Sequence, residues 1–229
     1  TAGQVIYTSG EESAEQVAAR AARLSLSPQS PNPNSKNSSE NSSKNNSENL
    51  QIVSSTSTDD IAETILKLKP ALVIIDSIQT MACSEVTSAT GSVSQITNST
   101  HILTQAAKST GTALIIVGHV TKEGSLAGPK ILEHLVDVVL NLEGDRYGGF
   151  KILRAIKNRY GSTAEAGIFE MTEQGLRQVA NPSESLLSER QITDGSIVFA
   201  AMEGNRPLLV EVQALVTKTN FGYPKRAAS

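Results

Sequence analysis

The sequence predicts an α/β fold with a mostly parallel central sheet, and three observations predict it. Two apolar runs, ALVIID at 71–76 and TALIIVG at 112–118, are continuous rather than alternating, which suits parallel strands buried on both faces. Helix-like stretches at 13–24, 58–68 and 92–110 alternate with the strand-like ones. Polar residues punctuate the chain where strand-like runs end: GEES at 10–13, Asp76-Ser77 closing LVIIDS, and KNRYG at 157–161. Open α/β sheets place their chemistry at such points.

Each element follows from local pattern. Gln4 to Thr8 reads as a short strand, and Ser13 to Leu24 as a helix with Val17, Ala18, Ala21 and Leu24 on its buried stripe. Residues 28–49 are almost wholly Pro, Asn, Ser, Lys and Glu; they carry too little apolar surface to pack, and read as a disordered surface insertion. Leu50 to Val53 is the next strand. Thr58 or Asp59 caps a helix to Leu68, and Pro70 ends the turn after it. Ala71 to Asp76 is a central strand, 79–91 a loop, and Ser92 to Thr110 a long helix closed by Gly111. Thr112 to Val117 reads as another buried strand, followed by a glycine-rich loop to Lys130. Val136 to Leu142 and Phe150 to Ile156 read as a hairpin on the edge of the sheet, and 167–171 with 176–179 as a further short hairpin. Asn181-Pro182 marks a domain boundary. A short helix at 183–189 and a hairpin of 196–202 with 208–215 follow it.

At 229 residues the chain fills one medium domain and part of another. Hydrophobic residues make up 38% and aromatics 3%, so the core is aliphatic. A net charge of -3 argues against nonspecific nucleic-acid binding by bulk charge but leaves room for a local basic patch. Cys83 is the sole cysteine, which excludes an internal disulfide and a cysteine zinc site and fits a reducing compartment. The apolar runs are too short to span a bilayer, and no signal-peptide core opens the chain. Targeting information could lie upstream of Thr1.

The punctuating residues carry the chemistry. Glu11 and Glu12 sit just past a strand's carboxyl end, where a carboxylate can orient or deprotonate a water attacking a phosphoryl group. Capping of the following helix is the other reading, because first-turn acids favour the helix dipole. Asp76 can hold magnesium through its water shell, with Ser77 assisting, or simply cap the turn. His119 can hydrogen-bond a terminal phosphate and report its loss to the polar loop after it, or be an exposed loop histidine. Lys157 and Arg159 flank Asn158 and can meet phosphate oxygens, or form a solvated basic loop; Gly161 permits a sharp turn or close approach. No GxxxxGK[ST] phosphate loop occurs, and the nearest look-alike, GSLAGPK at 124–130, has proline before its lysine. The chain thus reads as most of a nucleotide-hydrolysing core without its phosphate cradle.

Taken together and in this order, GEES (10–13), LVIIDSIQ (72–79), GHVTKEGSLAGPKILEH (118–134), KNRYG (157–161) and MTEQGL (171–176) resemble the RadA/Sms family of RecA-like DNA-repair ATPases. The resemblance runs from Gln4 to at least Val216. Tyr160 stands where the family usually has phenylalanine. The resemblance implies a RecA-like P-loop NTPase core over 1–180, lacking its N-terminal phosphate-loop segment, and the start of a Lon-protease-like α+β domain over 181–229. It implies catalytic roles for Glu11 and for Asp76, the latter near Mg2+, and nucleotide sensing by His119. It implies DNA contact by a loop carrying Lys122 and Lys130. It also implies coupling of nucleotide across subunits to DNA by Lys157, Asn158, Arg159 and Gly161. ATP and Mg2+ are the implied cofactors, and Zn2+ belongs only to an amino-terminal module absent from this sequence. Implied partners are single-stranded or branched DNA, further copies in a hexameric ring and a RecA-type recombinase, with no membrane. The location is cytoplasmic in a bacterium, or plastid or mitochondrial in a eukaryote. These 229 residues alone are expected to be inactive, for want of a phosphate loop. The rival readings are a non-catalytic RecA-like assembly module and a P-loop kinase of small molecules; the latter expects an arginine-rich lid near 120–130, where this chain has glycine, serine and lysine.

Overall fold

The structure is a computed structural model that describes residues 3–24, 49–119, 131–144, 149–188, 190, 193–216 and 218. The low-complexity insertion and the glycine-rich loop with Lys122 and Lys130 lie outside the described residues. The chain forms two compact units, residues 1–137 and 138–229.

The first unit is a parallel sheet of β1 (Val5–Ser9), β2 (Leu50–Ser54), β3 (Leu72–Asp76) and β4 (Ala113–Ile116), in the order β2-β1-β3-β4. The helices are α1 (Ala14–Arg23), α2 (Thr58–Leu68), α3 (Val93–Thr110) and the short α4 (Ile131–Leu135). The step from β1 to β2 runs one way along the sheet, and the steps to β3 and β4 run the other. Right-handed crossovers therefore put α1 on one face and α2 and α3 on the opposite one. The core follows: Ile61 and Ile65 of α2 and Ile96, Leu103 and Ala106 of α3 close over Ile6, Val73 and Ile75. The connections leaving β1 and β3 diverge, which makes the carboxyl ends of these two neighbouring strands the usual ligand position in open α/β sheets.

Two local expectations change. Ser57, not Thr58 or Asp59, caps α2, its hydroxyl accepting from the Asp60 amide. Thr58 is the first helical residue and turns inward, donating from Oγ1 to Ser99 Oγ at 2.9 Å. The strand at 112–117 forms, but its burial is one-sided: Leu114 and Ile116 meet the core whereas Ile115 is 50% exposed. The stretch 79–91 is largely irregular after a single 3-10 turn, Ile78–Thr80, and the buried Gln95 of α3 fastens it. Gln95 Oε1 accepts from the Cys83 amide, and its Nε2 donates to the carbonyls of Val86 and Ser88.

The second unit begins with β5 (Val138–Gly144), β6 (Phe150–Asn158), β7 (Ala166–Thr172) and β8 (Gly175–Gln178). The predicted edge hairpin is corrected here. Among the described residues, β5 and β6 open a separate antiparallel sheet of order β5-β6-β7-β8 that takes in the next predicted hairpin. The reason is patterning. β6 and β7 bury Phe150 and Ile168 on one face, whereas Val138, Leu140 and Leu142 of β5 are exposed; strands covered at most on one side suit an antiparallel meander better than a doubly covered parallel sheet. Asn181 caps α5 (Pro182–Leu187), and β9 (Ser196–Glu203) pairs with β10 (Arg206–Gln213). Leu208 and Val210 of β10 and Leu186 of α5 join the Phe150, Ile168 and Val179 cluster.

Candidate functional site

The site grows from the carboxyl ends of β1, β3 and β4, which lie side by side. Gly10 follows β1, and its amide donates to the Asp76 carbonyl at 2.9 Å, extending the ladder past the last strand residue. A Cβ at Gly10 would lie 2.1 Å from Thr80 Oγ1 and 2.8 Å from Thr80 Cβ. Thr80 cannot swing away freely, because Oγ1 donates to the Ser77 carbonyl at 2.8 Å. Gly10 is therefore the close approach that lets the turn after β1 interlock with the turn after β3. Gly10→Ala is expected to cost about 1–3 kcal/mol, as overpacking does, and a melting curve checks it.

Interlocking delivers Glu11 to the β3 end. Glu11 Oε1 accepts from Ser77 Oγ at 2.7 Å, and His119 Nε2 lies 3.2 Å from the same oxygen. The turns after three neighbouring strands thus converge on one carboxylate. The Gln79 side-chain amide donates to the His119 carbonyl at 3.3 Å. The Ser77 hydroxyl is the main reason the Glu11 carboxyl is held below the usual glutamate range; partial desolvation opposes it, and His119 acts with Ser77. Glu12 diverges from its neighbour and pairs with Arg20 of α1. Neither acid is needed to cap α1. Ser13 and Gln16 form a reciprocal capping box, with Gln16 Oε1 accepting from the Ser13 amide at 3.0 Å.

Asp76 closes β3, and the peptide bond between it and Ser77 is cis. Its Oδ2 accepts a hydrogen bond from Tyr7 Oη. Burial first, and then the bond to Asp76, push the Tyr7 phenol above the ordinary tyrosine range, so it remains a donor. Sequence reading passed over Tyr7, since only the strand register reveals the pair: Ser9 lies opposite Asp76, which puts Tyr7 diagonal to Asp76 on the same face. The other two histidines, His101 of α3 and His134 of α4, are exposed.

The basic motif belongs to the second unit. Lys157 and Asn158 end β6, and Arg159 and Tyr160 are exposed just beyond it. Asn158 shapes the turn: its Oδ1 accepts from the Tyr160 amide at 3.0 Å and its Nδ2 donates to the Ser162 carbonyl at 3.3 Å. Gly161 gives the close approach this turn requires, because a Cβ there would meet Asn158 Nδ2 at 3.3 Å. Arg154 and Lys157 lie opposite Asn141 and Val139 of β5, alternate residues of one face, because the register shifts by one residue between them; Arg154 pairs with Glu143 at 2.8 Å.

Comparison with known proteins completes the picture. Residues 1–125 match the family model described as an AAA domain. Among solved structures, the RadB recombinase aligns with TM-score 0.50 and 15% identity over 78% of this chain and 80% of that one. A KaiC-like protein from Pyrococcus horikoshii aligns with TM-score 0.51 and 14% identity over 77% of this chain and 76% of that one. The class is thereby defined as a RecA-like, AAA-domain P-loop NTPase fold. "DNA repair protein RadA" of Bacillus subtilis is 48% identical over 230 residues, covering 100% of this chain and 46% of that protein. The Listeria monocytogenes protein of the same name is 50% identical over 227 residues (99% and 46%), and the Synechocystis one 44% identical (99% and 45%). The chain belongs to the RadA family of DNA repair proteins. It spans a little under half the length of these relatives.

Proposed function

We propose that this chain is part of a DNA-dependent ATPase of recombinational DNA repair, which couples ATP hydrolysis to single-stranded DNA binding and promotes branch migration. The observation that carries the reading is the Glu11 carboxylate, held by Ser77 beside His119 at the sheet's switch point, next to the Asp76 strand end. In this reading Glu11 accepts the proton of the attacking water, and Ser77 keeps it ionised and aimed. His119 stands where the loss of a terminal phosphate is felt. Asp76 is the residue that would hold Mg2+ through its water shell.

Magnesium fits these donors: Asp76, Glu11 and Ser77 offer hard oxygens. Among the described residues no cluster of three or more His, Cys, Asp or Glu side chains forms a cage. An ion that keeps its waters and leans on one carboxylate and nucleotide phosphates needs none. When bound, Mg2+ and ATP supply the electrophilic phosphoryl group and its charge neutralisation. The triphosphate cradle is not furnished by these 229 residues, which contain no GxxxxGK[ST] motif. Residues 1–229 alone are accordingly proposed to bind ATP poorly and to be inactive.

The reading extends to partners. Lys157 and Arg159 meet the nucleotide of a neighbouring subunit in a hexameric ring, and Lys122 and Lys130 belong to a loop facing single-stranded or branched DNA. A RecA-type recombinase is a further proposed partner. Residues 181–229 open a Lon-protease-like domain that serves assembly, after an ATPase core ending near 180. The location is the cytoplasm of a bacterium or an organelle of a eukaryote. The deciding experiment measures phosphate release by the complete protein with and without single-stranded DNA. Turnover stimulated by DNA is expected; DNA binding with no nucleotide turnover would instead favour an assembly module. Ser77→Ala in the same protein moves the acid limb of the pH–rate profile upward. Glu11 then loses the donor that holds its carboxyl down, so protonation silences it at a higher pH.

A further inference from the structure

Tyr7 is placed by the sheet and used by nothing in the reading above. β1 is flanked on both sides, and the register sets Tyr7 beside Ile52 of β2 and Ile74 of β3 on one face. Its hydroxyl reaches the strand end, where it donates to Asp76 Oδ2. A phenylalanine keeps the same ring without the donor. The hydroxyl therefore does something that packing does not require. Other nearby polar groups are already engaged: Ser9 Oγ accepts from the Glu12 amide at 3.0 Å, Glu12 pairs with Arg20, and Ser77 Oγ donates to Glu11. Among the described hydrogen bonds to the Asp76 side chain, Tyr7 is the donor.

We infer that Tyr7 is a positioning residue whose hydroxyl fixes the Asp76 carboxylate and so sets the chain's affinity for a divalent cation. This rests on the reading of Asp76 as the magnesium-side carboxylate. A carboxylate at a strand end can rotate about its last bonds, and a donor on one oxygen removes that freedom before the ion arrives. Partners that orient a metal-side group in this way typically change metal affinity or activity by about 10–100-fold when removed.

The test uses the complete protein and the variants Tyr7→Phe, Asp76→Asn and their combination. Two readouts are taken: the Mg2+ concentration giving half-maximal phosphate release, and Mn2+ binding in the presence of ADP, followed by electron paramagnetic resonance without turnover. Tyr7→Phe is expected to raise both half-saturation values by about tenfold, with a superimposable circular-dichroism melting curve. In the Asp76→Asn background the same change is expected to add nothing further, because the two side chains act through one bond. Unchanged metal half-saturation in Tyr7→Phe, or additive effects in the double variant, overturns the inference while leaving Asp76 in place. If Asp76→Asn itself keeps the unaltered metal requirement, the reading of Asp76 fails and the inference falls with it.

Discussion

Replacing Glu11 by glutamine in the complete protein lowers ATP turnover by about 10²–10⁴-fold, the usual contribution of a positioned general base. Glutamine keeps the length and shape of the side chain. Its carbonyl oxygen can still accept from Ser77 Oγ, which now donates to Glu11 Oε1 at 2.7 Å, so the turn after β1 holds its place. What is lost is the capacity to take a proton. Nucleotide binding is therefore expected to change little, and equilibrium titration with ATP alongside phosphate release separates the two. The neighbouring acid provides the contrast. Glu12 pairs with Arg20 of α1 at a partly exposed site. Exposed pairs contribute about 0–1 kcal/mol, so Glu12→Gln is expected to alter turnover less than about fivefold. If the two substitutions have equal effects, Glu11 is not the base.

Much of this site could be read from the residue string because its parts are local. GEES and the Asp-Ser pair stand at strand ends whose continuous apolar runs announce central parallel strands, and a parallel α/β sheet presents those ends together. The helices were equally legible from periodicity and caps: Ser92 and Gly111 bracket α3, the glycine at φ 72 in the left-handed region. Register was not legible. That Ser9 faces Asp76, and hence that Tyr7 reaches its carboxylate, depends on pairing between strands 69 residues apart at the Tyr7–Asp76 bond. Nor does composition reveal that Gly10 must be bare because Thr80 packs against it. The misjudged sheet edge has a related cause. A hairpin signal at 138–158 says which strands pair with each other, but not which sheet they join; β7, pairing from Ala166 to Glu170 with β6, decided that. One-residue errors such as Ser57 for Thr58 reflect two adjacent hydroxyls, of which either could cap until packing against Ser99 turns one inward.

Arg159→Ala in the complete protein is expected to lower DNA-stimulated turnover by about 10³-fold or more, the magnitude typical of an arginine supplied to a neighbour's phosphoryl group. ATP binding falls much less, and Lys157→Ala follows the same pattern with a smaller loss, since a lysine offers a point charge rather than a planar fork. The structure is consistent with a side chain presented outward. Arg159 is exposed immediately past the end of β6, while Asn158 ties the turn through the Tyr160 amide and the Ser162 carbonyl. Mixing separates action across subunits from action within one. Glu11→Gln subunits keep Arg159, and Arg159→Ala subunits keep Glu11. In a mixed assembly, a site formed between neighbours can combine an intact Glu11 with an intact Arg159, so an equimolar mixture of two inactive proteins regains turnover. A mixture as inactive as its components, in a preparation shown by native mass spectrometry to contain both subunits in one assembly, would place Arg159 outside the neighbour's site. Equal loss of ATP binding and of turnover in Arg159→Ala alone would make it a simple binding residue instead.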